Sequence, residues 1–210
     1  MLAVVLLAVL SLFRAPSADA ADGRTIVAFG DSLVAGWGLP ADKAFVRQLE
    51  AALAARGVAA RVVDGGVSGD TTAGGRARLD WTFAGHDGAA LAIVELGAND
   101  GLRGLDPRQT EANLDAILTA LKARGVPVLL TGMRAPPNLG PDYATAFDAV
   151  FPRLAARHGV VFYPFFLEGV AAEPRLNQAD GIHPNADGVA VIVARILPYV
   201  LRALGPAGQG

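Results

Sequence analysis

The chain has 210 residues, of which 18 are Lys or Arg, 20 are Asp or Glu and none is Cys. Its length is that of one domain, and a hydrophobic fraction of 52% against 18% charged residues excludes an intrinsically disordered chain. The formal net charge of -2 argues against a nucleic-acid partner, which needs a basic surface. The lack of cysteine excludes disulfides, thiolate metal sites and a cysteine nucleophile.

The N-terminus has the pattern of a signal peptide. Residues 2–13 are almost wholly apolar, a run too short to span a bilayer, and Ala18-Asp19-Ala20 follows as an A-x-A cleavage site. We therefore expect removal of residues 1–20, a periplasmic or secreted mature protein that starts near Ala21, and no membrane-spanning segment within it. No Lys or Arg precedes the apolar run, which is atypical and leaves the start codon open. An uncleaved apolar helix is the alternative.

The mature chain alternates between short apolar runs and segments with helical periodicity. The runs at 25–29, 61–63, 89–96, 126–131 and 160–163 are predicted strands, and the segments 42–56, 107–124, 142–158 and 186–201 are predicted helices, the third kinked by Pro152. Apolar strands separated by helices indicate a parallel sheet covered on both faces. We predict a three-layer α/β/α domain over 21–204, a disordered tail at 205–210, and a site beyond the carboxyl ends of the strands.

Two segments offer the groups needed for nucleophilic catalysis. Ser32 follows the first strand in Gly30-Asp31-Ser32-Leu33, where its hydroxyl is held at the edge of the sheet; alternatively, it only caps a helix. A serine nucleophile needs a base, and the base needs a carboxylate that orients it. Asp180 and His183 lie in a loop at a spacing that brings both side chains to one side. Their alternative roles are a helix cap and a surface histidine.

Two further loops could stabilise a tetrahedral oxyanion, which requires N–H donors that are placed in advance. Asn99 follows the third strand and offers a side-chain amide, and Gly97 lets the backbone turn sharply before it. The glycine-rich segment 65–70, after the second strand, could supply a backbone N–H. Each loop alone is also ordinary turn chemistry.

Taken together, these segments resemble the SGNH, or GDSL, esterase family, whose four blocks carry Ser, Gly, Asn and a D-x-x-H pair. The resemblance implies Ser32 as the nucleophile, His183 as the base and Asp180 as the carboxylate that orients the base. The implied oxyanion hole consists of the N–H groups of Ser32 and Gly69 and the side chain of Asn99. The four blocks are Phe29-Gly30-Asp31-Ser32-Leu33, Val67-Ser68-Gly69-Asp70-Thr71, the segment 94–104, and Asp180-Gly181-Ile182-His183-Pro184-Asn185.

The resemblance spans residues 25–201 and implies a flavodoxin-like, five-stranded parallel sheet. Within the family, the chain most resembles the bacterial periplasmic arylesterases, acyl-CoA thioesterases and lysophospholipases, and the segments 95–104 and 164–170 carry this likeness. Similarity to these enzymes implies hydrolysis of aryl esters, of short to medium acyl esters and of acyl thioesters, and it extends to lysophospholipase activity. It implies no cofactor. The largely apolar segment 133–143, and the end of the aromatic stretch at 165–170, suit an acyl chain better than a sugar.

Two other functions remain as alternatives, a carbohydrate O-acetylesterase and a catalytically silent binding module on the same fold. We expect a monomer whose partner is a small-molecule ester or thioester. His86 is expected in a surface turn, His158 at a helix C-terminus, and Asp31 in a role that organises its loop. No His pair at helical spacing accompanies the aspartates that could suggest a metal, so no metal is expected. Those aspartates are Asp64, Asp70, Asp100 and Asp187.

Overall fold

A parallel five-stranded sheet forms the centre of the domain. The computed structural model describes residues 23–205. The strands are β1 (Arg24–Gly30), β2 (Ala60–Gly66), β3 (Leu91–Glu95), β4 (Val128–Thr131) and β5 (Val161–Tyr163). They lie in the order β2-β1-β3-β4-β5, and every neighbouring pair is parallel, which confirms the predicted sheet.

The helices form two groups that pack separately. They are α1 (Ser32–Ala35), α2 (Phe45–Ala54), α3 (Thr72–Phe83), α4 (Ala98–Leu102), α5 (Pro107–Ala123), α6 (Pro141–Asp148), α7 (Val150–His158) and α8 (Ala186–Leu204). α2 packs against α8, whereas α3 packs against α5 and α5 against α7. Right-handed crossovers explain this division, because the connection from β1 to β2 runs toward one edge of the sheet and the later ones run toward the other.

The apolar faces predicted for two of these helices are buried in the core. They comprise Phe45, Val46, Leu49 and Leu53 of α2 and Leu114, Ile117, Leu118 and Leu121 of α5. The central strands β1, β3 and β4 are also largely buried, since helices cover both faces of the sheet, whereas the edge strands β2 and β5 are partly exposed. Among residues 23–205, no helix combines the length and the apolar character needed to cross a bilayer.

The strand order places a crevice beside β1. β1 lies between β2 and β3, so the chain moves to one side of β1 through α2 and then to the other side through α3. In open α/β sheets such a reversal separates the loops at the carboxyl ends of the two central strands and leaves room for a ligand. The loops after all five strands contribute to the cavity at this edge.

Three local predictions differ from the structure. The predicted helix 142–158 is two helices, α6 and α7, which are separated at Ala149. Because Pro152 has no N–H to donate to the carbonyl of Asp148, the interruption agrees with the kink predicted at this proline. β2 continues to Gly66, where a loop is predicted. The sequence pattern also gives no sign of α3, because Gly74 and Gly75 lie in its first turn.

Two predictions fall wholly or mostly outside the described residues. They are the signal peptide at 1–20 and the tail at 205–210, of which only Gly205 is described.

Candidate active site

Ser32 is the first residue of α1, directly after the bend that follows β1. The cap of this helix is Asp31, whose Oδ1 accepts the N–H of Leu33 at 3.0 Å. The interpretation of Ser32 as the helix cap is therefore wrong. Because the first N–H groups of a helix have no partner within it, the N–H of Ser32 can be donated to an oxygen atom in the adjoining cavity.

The imidazole of His183 lies between Ser32 and Asp180. Its Nε2 is 2.9 Å from Ser32 Oγ, and its Nδ1 is 2.7 Å from Asp180 Oδ2. A carboxylate only accepts hydrogen bonds, so the proton of the neutral ring belongs on Nδ1, and Nε2 is left to accept the hydroxyl proton. Asp180 is not a helix cap, since the cap of α8 is Asn185.

The carboxylate of Asp180 is held by its own loop. Its Oδ1 accepts the N–H groups of Ile182 and His183 at 3.1 and 3.0 Å. These hydrogen bonds, that from the His183 N–H above all, lower the pKa of Asp180 to about 2. The carboxylate is therefore charged at neutral pH, and it can stabilise a positive charge on the ring.

Gln178 connects this loop to the segment that follows α1. Its backbone N–H donates to the carbonyl of His183 at 2.8 Å, and its side-chain amide donates to the carbonyl of Trp37 at 2.7 Å. The rings of Trp37 and His183 also lie 6.2 Å apart between centroids. Trp37 thus stands beside the imidazole at the mouth of the cavity, with 55% of its surface exposed.

Asn99, near the start of α4, lies beside Asp31. Its Nδ2 donates to Asp31 Oδ2 at 2.9 Å, and the N–H of Asp31 is 3.4 Å from Glu95 Oε2. Both carboxyl groups are fully buried. Burial raises the pKa of Asp31 to about 6, and burial together with the negative charge of Asp31 raises the pKa of Glu95 well above its usual range. A pKa of about 6 leaves Asp31 mainly ionised at neutral pH, beside a carboxyl group whose protonated form is favoured by its burial.

Gly69 reaches the cavity from the loop after β2. Its φ is 82°, in the left-handed region that glycine adopts most readily. Arg103, at the end of α4, donates from Nη2 to the carbonyl of Gly69 at 2.8 Å. This hydrogen bond connects the loop after β2 with the loop after β3. Gly97 directly precedes α4 and has a φ of 120°, in agreement with the sharp turn predicted there.

A cavity of about 560 Å³ is lined by Ser32, Gly69, Asn99 and His183. Its volume is that of a site for a small molecule. In the predicted segment 165–170, Phe165 and Leu167 line the cavity, whereas Phe166 and Val170 are buried in the core. The apolar lining residues are Leu33, Trp37, Ala98, Leu102, Met133, Ala135, Pro136, Phe165, Leu167, Ala171, Ala172 and Ile182.

The other candidate residues do not line the cavity, and most of them have partners elsewhere. His86 lies in a turn, and His158 ends α7 with its Nε2 2.8 Å from Asp115 Oδ1. Within 23–205, no group of three or more His, Asp or Glu side chains is arranged to hold a metal ion. Three of the four aspartates have other bonds: Asp64 with Gly66, Asp70 with Arg78, and Asp100 with Thr72 and Thr110.

Sequence reasoning singled out neither Glu95 nor Trp37. Glu95 could have been found as the one carboxyl group at the end of a strand that is otherwise wholly apolar. Trp37 stands between two glycines in a turn, which is an unusual place for a large aromatic side chain. Both signals are visible in the sequence, but neither indicates what the side chain contacts.

Residues 28–191 match the GDSL-like Lipase/Acylhydrolase family. The chain belongs to this family. It is 38% identical over 191 residues to an arylesterase of Vibrio mimicus, with 90% of this chain and 95% of that one covered. It is 42% identical over 179 residues to the thioesterase 1/protease 1/lysophospholipase L1 of Escherichia coli K12, with 85% and 82% covered. The crystal structure of AlinE4, an SGNH-hydrolase family esterase, is 47% identical with a TM-score of 0.74, and covers 88% of this chain and 98% of that chain.

Family membership confirms the resemblance found in the sequence and the fold that it implies. The protein is thus an ester-hydrolysing enzyme of the SGNH type rather than a silent binding module.

Proposed function

We propose that this GDSL-like hydrolase cleaves carboxylic esters and acyl thioesters through an acyl-enzyme on Ser32. One observation carries the proposal: the hydroxyl, imidazole and carboxylate of Ser32, His183 and Asp180 are hydrogen-bonded in series at the edge of a mainly apolar cavity. A serine hydroxyl becomes a nucleophile when a base takes its proton as it attacks, and this series provides the base and the group that orients it.

The reaction begins with acyl transfer to the serine. Ser32 Oγ attacks the acyl carbonyl carbon while its proton moves to His183 Nε2, and the carbonyl electrons form an oxyanion. When the carbonyl re-forms, the bond to the alcohol or thiol breaks, and that leaving group takes the proton from Nε2. Asp180 stabilises the positive ring in between and keeps Nε2 directed at the serine.

Hydrolysis of the acyl-enzyme repeats the same steps with water. His183 Nε2 takes a proton from water as its oxygen attacks the acyl carbon, and a second oxyanion forms. Its collapse breaks the bond to Ser32 Oγ, which recovers the proton from Nε2, and the carboxylic acid leaves. No cofactor and no metal ion take part in either half of the reaction.

Three N–H donors are proposed to stabilise the oxyanion. They are the backbone N–H groups of Ser32 and Gly69 and the side-chain amide of Asn99. A primary amide has two N–H bonds, and one of those of Asn99 is used by Asp31, so the other is left for the substrate. Donors that are held in place before the reaction stabilise the developing charge without reorganising.

The cavity favours an acyl chain as the part of the substrate that is held. Its walls are mostly apolar. Trp37, Leu102 and Ile182 also line it and are exposed to solvent, so an aryl, thiol or lysophospholipid leaving group can lie against them. A carbohydrate acetylesterase would need more polar contacts for a sugar than Ser68, Arg134 and Asn177 offer. We further propose that the enzyme acts in the periplasm or after secretion, because residues 1–20 have the pattern of a signal peptide, and that it acts as a monomer.

The test is a comparison of the wild type with Ser32→Ala and Ser68→Ala on p-nitrophenyl esters and acyl-CoAs of increasing chain length. Ser68 lines the same cavity and is the matched control. Loss of Ser32 should lower turnover by about 10³-fold or more on every substrate, because the nucleophile is removed, whereas Ser68→Ala should retain activity. A fluorophosphonate should label Ser32 in the wild type. Turnover retained by Ser32→Ala, or label on another residue, would refute the proposal.

A further inference from the structure

The side chain of Arg78 joins three segments beneath the proposed active site. It belongs to α3, and only 16% of its side chain is exposed. Its Nε donates to Asp70 Oδ2 at 2.5 Å, its Nη2 to the carbonyl of Gly30 at 2.8 Å, and its Nη1 to the carbonyl of Gly65 at 2.8 Å. Nη1 also donates to Thr82 Oγ1 at 3.1 Å. One guanidinium therefore bonds to the ends of β1 and β2 and to the loop that follows β2.

These acceptors are close in sequence to two of the three proposed oxyanion donors. Gly30 is separated from Ser32 by Asp31 alone, and Asp70 directly follows Gly69. The carbonyl of Gly30 also accepts the N–H of Val67 at 3.0 Å, so the loop with Gly69 begins on the same backbone group that Arg78 holds. The third donor, Asn99, follows β3, and Arg78 is not bonded to its loop among the contacts of residues 23–205.

The packing around the guanidinium makes this arrangement rigid. Its central carbon lies 4.4 Å from the centre of the Phe29 ring, a cation–π distance. Asp70 is as buried as its partner, with 15% of its side chain exposed. A side chain at Gly74 would collide with the carboxylate of Asp70, so the glycine in the first turn of α3 leaves room for this ion pair. That requirement accounts for a residue that otherwise weakens the helix.

We propose that Arg78 is a positioning residue for acyl transfer, which fixes the N–H of Gly69 relative to Ser32. The inference rests on the function proposed above and adds a residue that does not line the cavity. An oxyanion donor acts over about 2.7–3.1 Å, so a small shift of one loop against the other weakens it. Arginine is suited to this role because its planar fork donates in several fixed directions at once, whereas lysine is a single flexible charge.

Arg78→Lys tests the proposal, because it keeps the charge and removes the fork. Arg124→Lys is the matched control: Arg124 also joins separate segments, through the carboxylates of Asp80 and Asp87, but it precedes β4 and so lies at the end of the sheet opposite the proposed active site. Active sites are first counted with a fluorophosphonate, so that kcat refers to folded enzyme. We expect Arg78→Lys to lower kcat about 10–100-fold with KM changed less than about threefold, and Arg124→Lys to leave both unchanged.

A second readout separates positioning from stability. A trifluoromethyl ketone forms a tetrahedral adduct with the serine, so its inhibition constant should rise in Arg78→Lys by the factor that kcat/KM falls. The inhibition constant of a product carboxylic acid should remain as in the wild type. An unchanged kcat per active site, an unchanged ketone inhibition constant, or an equal loss in Arg124→Lys would each overturn the proposal.

Asp70→Asn provides a milder variant should Arg78→Lys fold poorly. It leaves Arg78 bonded to the ends of β1 and β2 and loosens only the loop that carries Gly69. We expect smaller effects of the same kind: kcat should fall about threefold to tenfold, and the inhibition constant of the trifluoromethyl ketone should rise by a matching factor. An unchanged kcat in this variant would exclude the Gly69 loop as the route. If the wild type showed no Ser32-dependent hydrolysis, the proposed function would fail first, and Arg78 would have no acyl transfer to serve.

Discussion

Replacement of Asp31 by Asn should change how the stability of the protein depends on pH. Burial raises the pKa of Asp31 from 3.8 to about 6, against the opposing effect of hydrogen bonds from Leu33 and Asn99. The folded protein therefore binds a proton at Asp31 more tightly than the unfolded chain does. The stability that this group contributes is fully present below pH 3.8 and is lost as the pH rises through about 6.

The size of this effect follows from the shift in pKa. A rise of about two units, at about 1.4 kcal/mol per unit, corresponds to about 3 kcal/mol. The D31N variant has no charge to bury and so lacks this loss. It weakens hydrogen bonds worth about 1 kcal/mol each, but that cost is nearly the same at every pH. The difference in unfolding free energy between variant and wild type should therefore shift by about 3 kcal/mol in favour of D31N between about pH 4 and 8.

Urea unfolding followed by circular dichroism, at intervals from about pH 2 to 8, measures this difference. D180N serves as the control of opposite sign. Hydrogen bonds from its own loop lower the pKa of Asp180 to about 2, so its contribution to stability is present above pH 3.8 and is lost as the pH falls through about 2. A difference between D31N and the wild type that stays constant from about pH 4 to 8 would show that Asp31 is not desolvated in the folded protein.

Three further results are expected. Asn99→Ala should lower kcat about 10²–10³-fold with little change in KM, because it removes a donor to the oxyanion. Steady-state kinetics measure both constants, and a rise in KM alone would make Asn99 a substrate-binding residue instead. Leu167 lines the cavity, so Leu167→Trp should fill part of it and slow the hydrolysis of long acyl esters while acetyl esters are still cleaved. A panel of esters of increasing chain length measures this, and an equal loss of activity on all of them would place the acyl chain elsewhere. EDTA should leave activity intact, and strong inhibition would indicate a metal.

The fold could be predicted because its three central strands, β1, β3 and β4, are buried on both faces. A strand of that kind is a short apolar run, and four of the intervening helices show a clear apolar face, so the alternation is visible without any knowledge of contacts. α3 was not predictable in this way. Its buried surface is supplied by Leu79 and Phe83 and by two small residues, and Gly74 is there for Asp70 rather than for the helix. A tertiary requirement thus replaces the local signal.

The residues proposed for catalysis could also be predicted from the sequence, because each lies in a short motif that is recognisable from the residues next to it. The side chains that hold these residues in place could not be predicted. The hydrogen bond from Asn99 to Asp31 depends on the pairing of β1 with β3, and the bonds of Arg78 depend on the pairing of β1 with β2. Residues far apart in sequence meet only when the order of the strands is known. The same holds for Glu95, whose raised pKa results from its burial against Asp31.

The supporting residues hold the proposed oxyanion hole through two sets of contacts, which meet at Asp31. The donors that follow β1 and β2, Ser32 and Gly69, are held through Arg78, whereas Asn99 is held through Asp31 and through its neighbour Asp100. Asp100 accepts the N–H of Thr72 at 2.8 Å and the hydroxyl of Thr110 at 3.1 Å, which binds the loop after β3 to the start of α3 and to α5. Because α3 carries both Arg78 and Thr72, it is the element common to the two sets. A change that tilts α3 should therefore weaken all three donors together, whereas the Arg78→Lys and Asn99→Ala substitutions each impair one set.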